Sequence, residues 1–315
     1  MCGSRTLRKR MAGVGAVLVI VGVSLCTSVG TSVALPSSGY WLLGGDGGIF
    51  SFQAPFHGSA ASDPHRCPAN TVDRTHPTGT CFALAATPDG GGYWILNGDT
   101  GDIWRYGNAV DYGEPATEWK TVPREFVPTG IAIVPSSAGY WVLSVGLSGA
   151  GTIDRFGNAG AYGDTSTLAR TKHLAFNGTP VGMAVAKGAT GYYEVHSDGG
   201  VFGFGSAKFF GSLGGQKLTS PIVGMAVTKT GNGYWLAAAD GHVYPFGDAA
   251  AVTQLNHKLT KPVVGIATDP GSQGCWLVAA DGGIFTFAGA PFLGSMGATR
   301  LSKPVFGIAA RPSVT

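Results

Sequence analysis

Residues 262–295 read PVVGIATDPGSQGCWLVAADGGIFTFAGAPFLGS, and this stretch decides the fold. Short apolar runs alternate with turn signals made of glycine, proline and aspartate, which is typical of β-strands joined by tight turns. Asp281-Gly282-Gly283 predicts a hairpin, because glycine adopts positive φ at no steric cost and aspartate tolerates it. The predicted elements are three strands, at 262–268, 275–280 and 284–287, and a short outer fourth strand at 291–295.

An aromatic pair that follows glycine marks six copies of this unit. The pairs are Tyr40-Trp41, Tyr93-Trp94, Tyr140-Trp141, Tyr192-Tyr193, Tyr234-Trp235 and Cys275-Trp276. The last two spacings, 42 and 41 residues, give the bare unit, and the longer spacings carry insertions. Four short strands in a repeat of this length are typical of a propeller blade.

The second strand of the unit is apolar on both faces, since Tyr234 and Leu236 alternate with Trp235 and Ala237. Blades stacked radially cover both faces, because each blade lies between two neighbours. The first copy opens with a second strand at Tyr40-Trp41, and residues 304–309 supply only a first strand. We therefore predict an all-β, six-bladed β-propeller of four-stranded antiparallel blades, closed by pairing of the C-terminal strand with the N-terminal blade.

The signature GYWxxxxDGGIFxFGxAxFxGS, preceded by PVVGIA, resembles a tandem repeat of secreted bacterial proteins of propeller type. The resemblance covers residues 36–315. The third copy departs most, because Ser148-Gly149-Ala150-Gly151-Thr152 replaces the DGG turn. The resemblance implies the fold and export, and it implies no activity.

The first residues predict a targeting segment. Arg5, Arg8, Lys9 and Arg10 precede an apolar run from residue 11 to about 25, and Ser32-Val33-Ala34 is a plausible cleavage site before Leu35. We expect residues 1–34 to be a signal peptide and residues 36–315 to be the propeller domain. The alternative is an N-terminal anchor, with membrane contact through residues 11–29 only. Either case places the protein outside the cytoplasm, secreted or in the cell envelope.

Charge excludes one class of partner. The chain carries 21 Lys+Arg against 18 Asp+Glu, and four of the basic residues lie in the leader. The remainder has no basic excess, so we expect no nucleic-acid partner.

Two cysteines are natural disulfide partners in an oxidising compartment. Cys67 and Cys81 flank a polar loop at 68–80, and a bond between them would stabilise the fold by roughly 3 kcal/mol in the chain-entropy model. Cys275 stands where other copies have tyrosine, which indicates a buried small side chain rather than a reactive thiol.

Aspartates and histidines give no clear metal or cofactor site. Asp46, Asp99, Asp198, Asp240 and Asp281 occupy the hairpins, where aspartate before glycine stabilises tight turns. His65 and His76 lie near Asp63 and Asp73, where the alternatives are a metal site and a solvated loop, and we expect the loop. We therefore predict no metal and no cofactor.

The links between blades vary most in length, and they emerge on the same face as the second-to-third turns. They cover residues 60–80, 114–126 and 164–179. Insertions on a rigid scaffold favour recognition, so we predict a binding surface there. Its candidate residues are His65, Arg66, Arg74, His76, Glu118, Trp119 and Lys120. Trp119 is included because it lies outside the repeat, whereas the tryptophans of the aromatic pairs are expected to be packing residues.

Two classes of function remain. The first is a non-catalytic binding or interaction module with an extracellular or cell-wall ligand, either a glycan or a protein, acting as a monomer. The alternative is a propeller-fold hydrolase or lyase acting on an extracellular glycan or lactone. An enzyme requires titratable groups that converge in a pocket. The predicted innermost strands supply no acid, base or ligand, and this favours the binding module.

Overall fold

The computed structural model describes residues 38–61, 71–73, 76–78, 81–119, 126–134, 138–146, 149–255 and 258–313. All of them belong to the compact unit Leu35–Thr315. The predicted leader and Cys67 lie outside the described residues, so the cleavage site and the disulfide stay predictions. Within the described residues, no helix is long and apolar enough to cross a membrane.

The elements follow one another as a succession of short strands with two helices. In chain order they are β1 (Tyr40–Gly44), β2 (Ile49–Phe52), β3 (Thr71–Asp73), β4 (His76–Thr78), β5 (Cys81–Ala86), β6 (Gly92–Asn97), β7 (Ile103–Gly107), α1 (Pro115–Trp119), β8 (Phe126–Ile133), β9 (Gly139–Gly146), β10 (Gly151–Gly157), α2 (Thr165–Lys172), β11 (Pro180–Val185), β12 (Gly191–His196), β13 (Val201–Gly205), β14 (Ile222–Val227), β15 (Gly233–Ala238), β16 (Val243–Gly247), β17 (Val263–Thr268), β18 (Cys275–Ala279), β19 (Ile284–Phe287) and β20 (Val305–Ala310).

These strands form six antiparallel sheets of three strands each, in a propeller-like arrangement. Sheet 1 is β20-β1-β2, sheet 2 is β5-β6-β7, sheet 3 is β8-β9-β10, sheet 4 is β11-β12-β13, sheet 5 is β14-β15-β16 and sheet 6 is β17-β18-β19. The strand that carries the aromatic pair is central in every sheet. A separate hairpin, β3-β4, occupies part of the link that the sequence predicts as a loop, with Val72 opposite Pro77.

Both ends of the described chain belong to sheet 1. Strand β20 pairs antiparallel with β1, with Trp41 opposite Ala309 and Leu42 opposite Ile308. This is the pairing that the two incomplete repeats predict. The first strands β5, β8, β11, β14, β17 and β20 each contact the next one, and β20 also contacts β5.

The predicted fourth strand is absent from the described residues, and each sheet has three strands. We call the residues that follow each third strand the outer segment; these are 53–59, 108–114, 158–164, 206–212, 248–254 and 288–295. In three sheets a side chain of this segment accepts from an amide at or near the start of the third strand. The amides of Ile103, Ile153 and Val243 donate to Glu114 Oε2 (3.0 Å), Asp164 Oδ2 (3.3 Å) and Gln254 Oε1 (3.0 Å), respectively. In these three sheets a side chain thus satisfies one amide of the edge that a fourth strand would pair with.

Each central strand is buried on both faces and contributes to two apolar cores. Tyr234, Leu236 and Ala238 pack with residues of sheet 4, whereas Trp235 and Ala237 pack with residues of sheet 6. In sheet 1, likewise, Trp41 and Leu43 pack against sheet 2, and Tyr40 and Leu42 pack against sheet 6. The alternation predicted from the sequence is confirmed. The apolar cores of the described residues lie between neighbouring sheets.

The second residue of each aromatic pair fastens the outer segment of its own sheet. The indole N–H of Trp41, Trp94, Trp141, Trp235 and Trp276 donates to the carbonyls of Pro55, Val110, Gly160, Ala250 and Pro291, at 2.8–2.9 Å. In sheet 4 the hydroxyl of Tyr193 makes the same contact with Lys208 O at 2.8 Å. The outer segments are therefore held by side chains rather than by a strand ladder.

The first residue of the pair reaches the preceding sheet, and we call this contact the tyrosine clamp. The hydroxyls of Tyr40, Tyr93, Tyr140, Tyr192 and Tyr234 donate to the carbonyls of Gly294, Gly58, Gly113, Gly163 and Gly211. The acceptor glycines have φ between 100° and 137°, where a side chain would be strained. A Cβ at Gly211 would also come within 2.5 Å of the Phe246 ring in the next sheet.

The sixth junction, between sheets 5 and 6, lacks the clamp. Cys275 replaces the tyrosine, and Thr253 replaces the acceptor glycine. Cys275 is fully buried, so the expectation of a buried side chain is confirmed, and burial raises the pKa of its thiol to about 12. Thr268 Oγ1 instead donates to Val227 O at 2.6 Å, which links the first strands of the two sheets.

Restoring the clamp should stabilise the protein. Cys275→Tyr with Thr253→Gly supplies both the hydroxyl donor and the acceptor site, so the free energy of unfolding should rise by about 1–2 kcal/mol in urea denaturation. Cys275→Tyr alone should lower it by about 1–3 kcal/mol, because Thr253 keeps its side chain and the junction becomes overpacked. A double variant no more stable than the single one would contradict the coupling of the two positions.

The clamps also predict a loss of stability at alkaline pH. Burial raises the pKa of Tyr40 and Tyr93 to about 12 and raises the pKa of Tyr140 and Tyr192 as well. Tyrosines of the unfolded chain ionise near pH 10, so between about pH 10 and 12 the unfolded state loses protons that the folded state keeps. The free energy of unfolding should be unaffected below about pH 10 and should fall above it.

Chemical denaturation at a series of pH values measures this, together with the ultraviolet absorbance of phenolate. Tyr93→Phe should reduce the slope of stability against pH in that window. Ionisation of all tyrosines near pH 10 in a protein that stays folded would contradict the assignment.

Candidate functional site

The second-to-third turns and the links that enter the next sheet lie at one face of the molecule, which we call the link face. Backbone bonds join them directly: Gly45 N, Ser197 N, Ala239 N and Ala280 N donate to the carbonyls of Pro304, Thr179, Pro221 and Pro262, at 2.8–2.9 Å. The geometry that the sequence analysis assumes for the predicted recognition surface is therefore present at these four sheets.

The aspartates of the hairpins serve the turns. Asp46, Asp198, Asp240 and Asp281 each accept a bond, at 2.9–3.1 Å, from the amide two residues later. Two of them also bind the incoming link, since Ser302 donates to Asp46 Oδ2 (2.7 Å) and Thr219 to Asp240 Oδ2 (2.9 Å). Their role as turn residues is confirmed. In the part of the chain that the structure describes, no three His, Cys, Asp or Glu side chains gather as a metal ion would require.

For none of the seven predicted binding residues does the structure describe the side chain. Glu118 and Trp119 end α1, and His76 begins β4, but the description does not include their side chains. His65, Arg66, Arg74 and Lys120 lie outside the described residues altogether. Their contribution to binding stays a prediction.

The link at 164–179 is the insertion of the link face that is described in full. Its first half is α2, whose N-cap is Asp164: Oδ1 accepts from Thr167 N at 2.7 Å. The helix ends at His173, which has left-handed backbone geometry with φ 53°. Residues 170–175 are all exposed, and they include Arg170, Lys172 and the 48% exposed Leu174.

A buried polar cluster on β12 holds both ends of this link. Glu194 accepts from the hydroxyl of Thr165 through Oε1 and from its amide through Oε2 (3.2 Å), and this fixes the start of α2. His196 Nδ1 lies 3.0 Å from Gly178 O, which fixes the end of the link. His196 Nε2 lies 3.1 Å from Glu194 Oε1, so the two anchors form one network. We call Thr165, Glu194 and His196 the buried brace; each is at most 1% exposed.

Both ring nitrogens of the buried histidine in the brace have an oxygen within hydrogen-bonding distance. Both ring nitrogens of His196 face oxygen acceptors, Gly178 O and Glu194 Oε1, so an additional proton must lie on the imidazole or on the carboxyl group. Phe176 stacks edge-on against His196 at 5.2 Å and against Phe202 at 5.0 Å, and thereby covers the pair from the link side. Burial of an ion pair is tolerated only with such satisfied partners.

The brace was not predicted from the sequence, although two signals in the sequence point to it. Glu194 stands where the other five sheets have Leu42, Ile95, Val142, Leu236 and Leu277. The SGAGT turn of the third copy, which departs from DGG, places Gly151 beside it. A Cβ on Gly151 would lie 2.1 Å from Glu194 Oε1, so this departure makes room for the carboxylate.

The innermost strands offer no catalytic group. Residues 83–86, 130–133, 181–185, 223–227, 264–268 and 306–310 contain no acidic, basic or imidazole side chain. The tryptophans of the aromatic pairs are at most 2% exposed and bonded to carbonyls, so their role in packing is confirmed and they are closed to sugar stacking. Among the described residues, the innermost strands therefore bring together no acids and bases of the kind that the pocket of an enzyme requires.

Comparison with known proteins shows the fold alone. No protein-family model and no curated sequence matches the chain. Among solved structures, a chain described as "Crystal structure of Nidogen/Laminin Complex" matches with 10% identity and a TM-score of 0.52, over 88% of this chain and 100% of that one. The chain is thus similar in fold to that propeller-like structure.

Loss of the brace should free the link. Glu194→Ala should lower the free energy of unfolding by about 3–5 kcal/mol, because it removes the buried carboxylate that faces His196 Nε2 and accepts from the amide and hydroxyl of Thr165. Glu194→Gln should cost less, since its amide can donate to Nε2 of a neutral imidazole. Denaturation measures the stability, and native trypsin cleavage after Arg170 and Lys172 measures the release of the link.

Leu277→Ala is the matched control, because it removes a buried side chain at the same repeat position of sheet 6. It should destabilise the protein without favouring cleavage in the link. Equal cleavage of Glu194→Ala and Leu277→Ala at matched stability would show that the brace does not position the link.

Proposed function

We propose that this chain is an exported, non-catalytic binding module of the cell envelope or extracellular space, built as a closed six-bladed β-propeller with the link face as its recognition surface. The β1–β20 pairing supports closure, as do the core shared by sheets 6 and 1 and the clamp from Tyr40 to Gly294. The basic start and apolar run of residues 1–34 support export.

One observation carries the functional part of the proposal. The link at 164–179 is anchored at both ends by buried groups, yet its tip is fully exposed and carries Arg170 and Lys172 without a paired carboxylate among the described residues. A preorganised loop with exposed cationic and apolar side chains loses little entropy on binding. This is the design of a recognition loop on a rigid scaffold.

The class of ligand follows from the same residues. Arg170 and Lys172 favour an anionic partner, and exposed Leu174 adds an apolar contact. A cell-wall glycan with acidic groups fits this chemistry, and so does an acidic protein surface. The similar solved structure is described as a complex of two proteins, which supports protein recognition as the second form of the same function.

The test uses the purified full chain and a panel of cell-wall material, acidic glycans and acidic proteins. Arg170→Ser with Lys172→Ser and Leu174→Ser should weaken binding at least about tenfold, and binding should fall as ionic strength rises. The variant leaves Thr165, Phe176 and Gly178 in place, so the brace and the fold should persist.

The matched control, Arg155→Ser with Lys208→Ser, removes one arginine and one lysine at exposed positions outside the links and should leave this binding unchanged. Binding that survives the loss of the link residues would overturn the recognition surface. Failure of the unchanged protein to bind any member of the panel would overturn the binding module.

A further inference from the structure

A second departure from the repeat lies away from the link face, in the turns between first and second strands. In sheet 2 this turn runs from Thr87 to Gly90, closed by the bond Gly90 N→Thr87 O at 2.9 Å, with Pro88 in its second position. Proline is favoured there, because its fixed φ suits the second residue of a type I turn. Pro270 holds the corresponding place in sheet 6, and the sequence also has proline two residues after the end of β8 and of β20, at Pro135 and Pro312.

Sheets 4 and 5 have lysine at this position. The turns are closed by the same backbone bonds, Ala189 N→Ala186 O (3.0 Å) and Gly231 N→Thr228 O (2.8 Å), with Lys187 and Lys229 in the second position. The fold does not require these lysines, since the described turns of sheets 2 and 6 have proline at this position. The two exceptions occur in adjacent sheets, and both side chains are exposed.

Both lysines line one cleft between the two turns. The cleft has a volume of about 460 Å³, and its apolar lining includes Val185, Ala189 and Val227. Gly231 has φ 73°, and a Cβ there would lie 2.5 Å from Lys187 Cβ. The absence of a side chain at Gly231 therefore lets the stem of Lys187 lie directly against the neighbouring turn.

The two ammonium groups have no ion-pair partner among the described residues. The ion pairs between described residues are Arg105–Asp111, His196–Glu194 and His242–Asp240, and none includes Lys187 or Lys229. Asp248, which contacts the turn of Lys229, accepts instead from the hydroxyls of Thr228 (2.8 Å) and Thr230. Two like charges beside one cleft, with no described carboxylate to neutralise them, attract an anion.

We propose that the cleft between the turns 186–189 and 228–231 is a binding site for a small anionic ligand, in which Lys187 and Lys229 bind a phosphate or carboxylate group. A volume of about 460 Å³ lies within the range of small-molecule sites and suits a ligand of about monosaccharide size. The apolar lining contacts the body of the ligand, and the lysines act as point charges on its anionic group. This site is independent of the link at 164–179.

The experiment titrates the full chain with four probes: inorganic phosphate, glucose 1-phosphate, glucuronate and neutral glucose. Calorimetry or NMR should show binding of at least one anionic probe and none of glucose. Glucose 1-phosphate and glucuronate distinguish a phosphate ligand from a carboxylate ligand. Absence of binding by all three anions up to about 10 mM, a range that covers weak sites of this kind, would overturn the proposal.

Lys187→Pro with Lys229→Pro should weaken binding of the anion at least about tenfold, and the variant should fold, because proline already stands at this position in sheets 2 and 6. Lys187→Arg with Lys229→Arg keeps the charges and should retain binding. Arg170→Ser with Lys172→Ser removes the same number of positive charges from the link face. It should leave the affinity of the cleft for the anion unchanged. Equal binding by the proline double variant and the unchanged protein would refute the site, whatever happens at the link face.

Discussion

A sheet with two apolar faces is stable only when another surface covers each face. Every sheet of this protein has two apolar faces, because its central strand carries apolar side chains on both sides. The consequence is that the apolar cores lie between neighbouring sheets, one for each contact, rather than inside any single repeat. The aromatic pair adds direction to this packing: its tryptophan fastens the sheet's own outer segment, and its tyrosine clamps the sheet before it. Trp41 and Tyr93, for example, meet edge-on at 5.5 Å across such a junction. Packing and hydrogen bonding therefore specify the same neighbour.

Patterns along the sequence predict some features of this fold and do not reveal others. The three-strand unit, the burial of both faces and the pairing of residues 304–309 with Tyr40-Trp41 follow from local patterns of period two, which the sequence displays openly. The fourth strand was a wrong prediction: in three sheets the side chain of Glu114, Asp164 or Gln254 takes an amide of the third-strand edge, and a strand pattern does not reveal such side-chain bonds. The buried brace was missed for the same reason: Glu194 meets Thr165 only after the link folds back.

Departures from the repeat separate into two kinds. At the junction of sheets 5 and 6, Cys275 and Thr253 both differ from the pattern, and each makes sense given the other: the donor and its acceptor glycine are lost together. Glu194 and Gly151 are coupled in the same way, as a carboxylate and the space that it occupies. Lys187 and Lys229 have no such counterpart inside the protein, since no described carboxylate pairs with them. A departure with a compensating partner is explained by folding, whereas one without a partner points to something outside the chain.

The buried brace shows why stability alone does not account for the coupled departures. A well-packed apolar residue at position 194, like those of the other five sheets, would be expected to give equal or greater stability than a buried ion pair. What Glu194 and His196 provide, and an aliphatic side chain cannot, is a simultaneous hold on Thr165 and Gly178, the two ends of one link. The hydrogen bonds of this polar cluster thus fix the position of the loop. The loop tip contributes nothing to the cores, and its rigid attachment is therefore an argument for the proposal that the tip binds a partner.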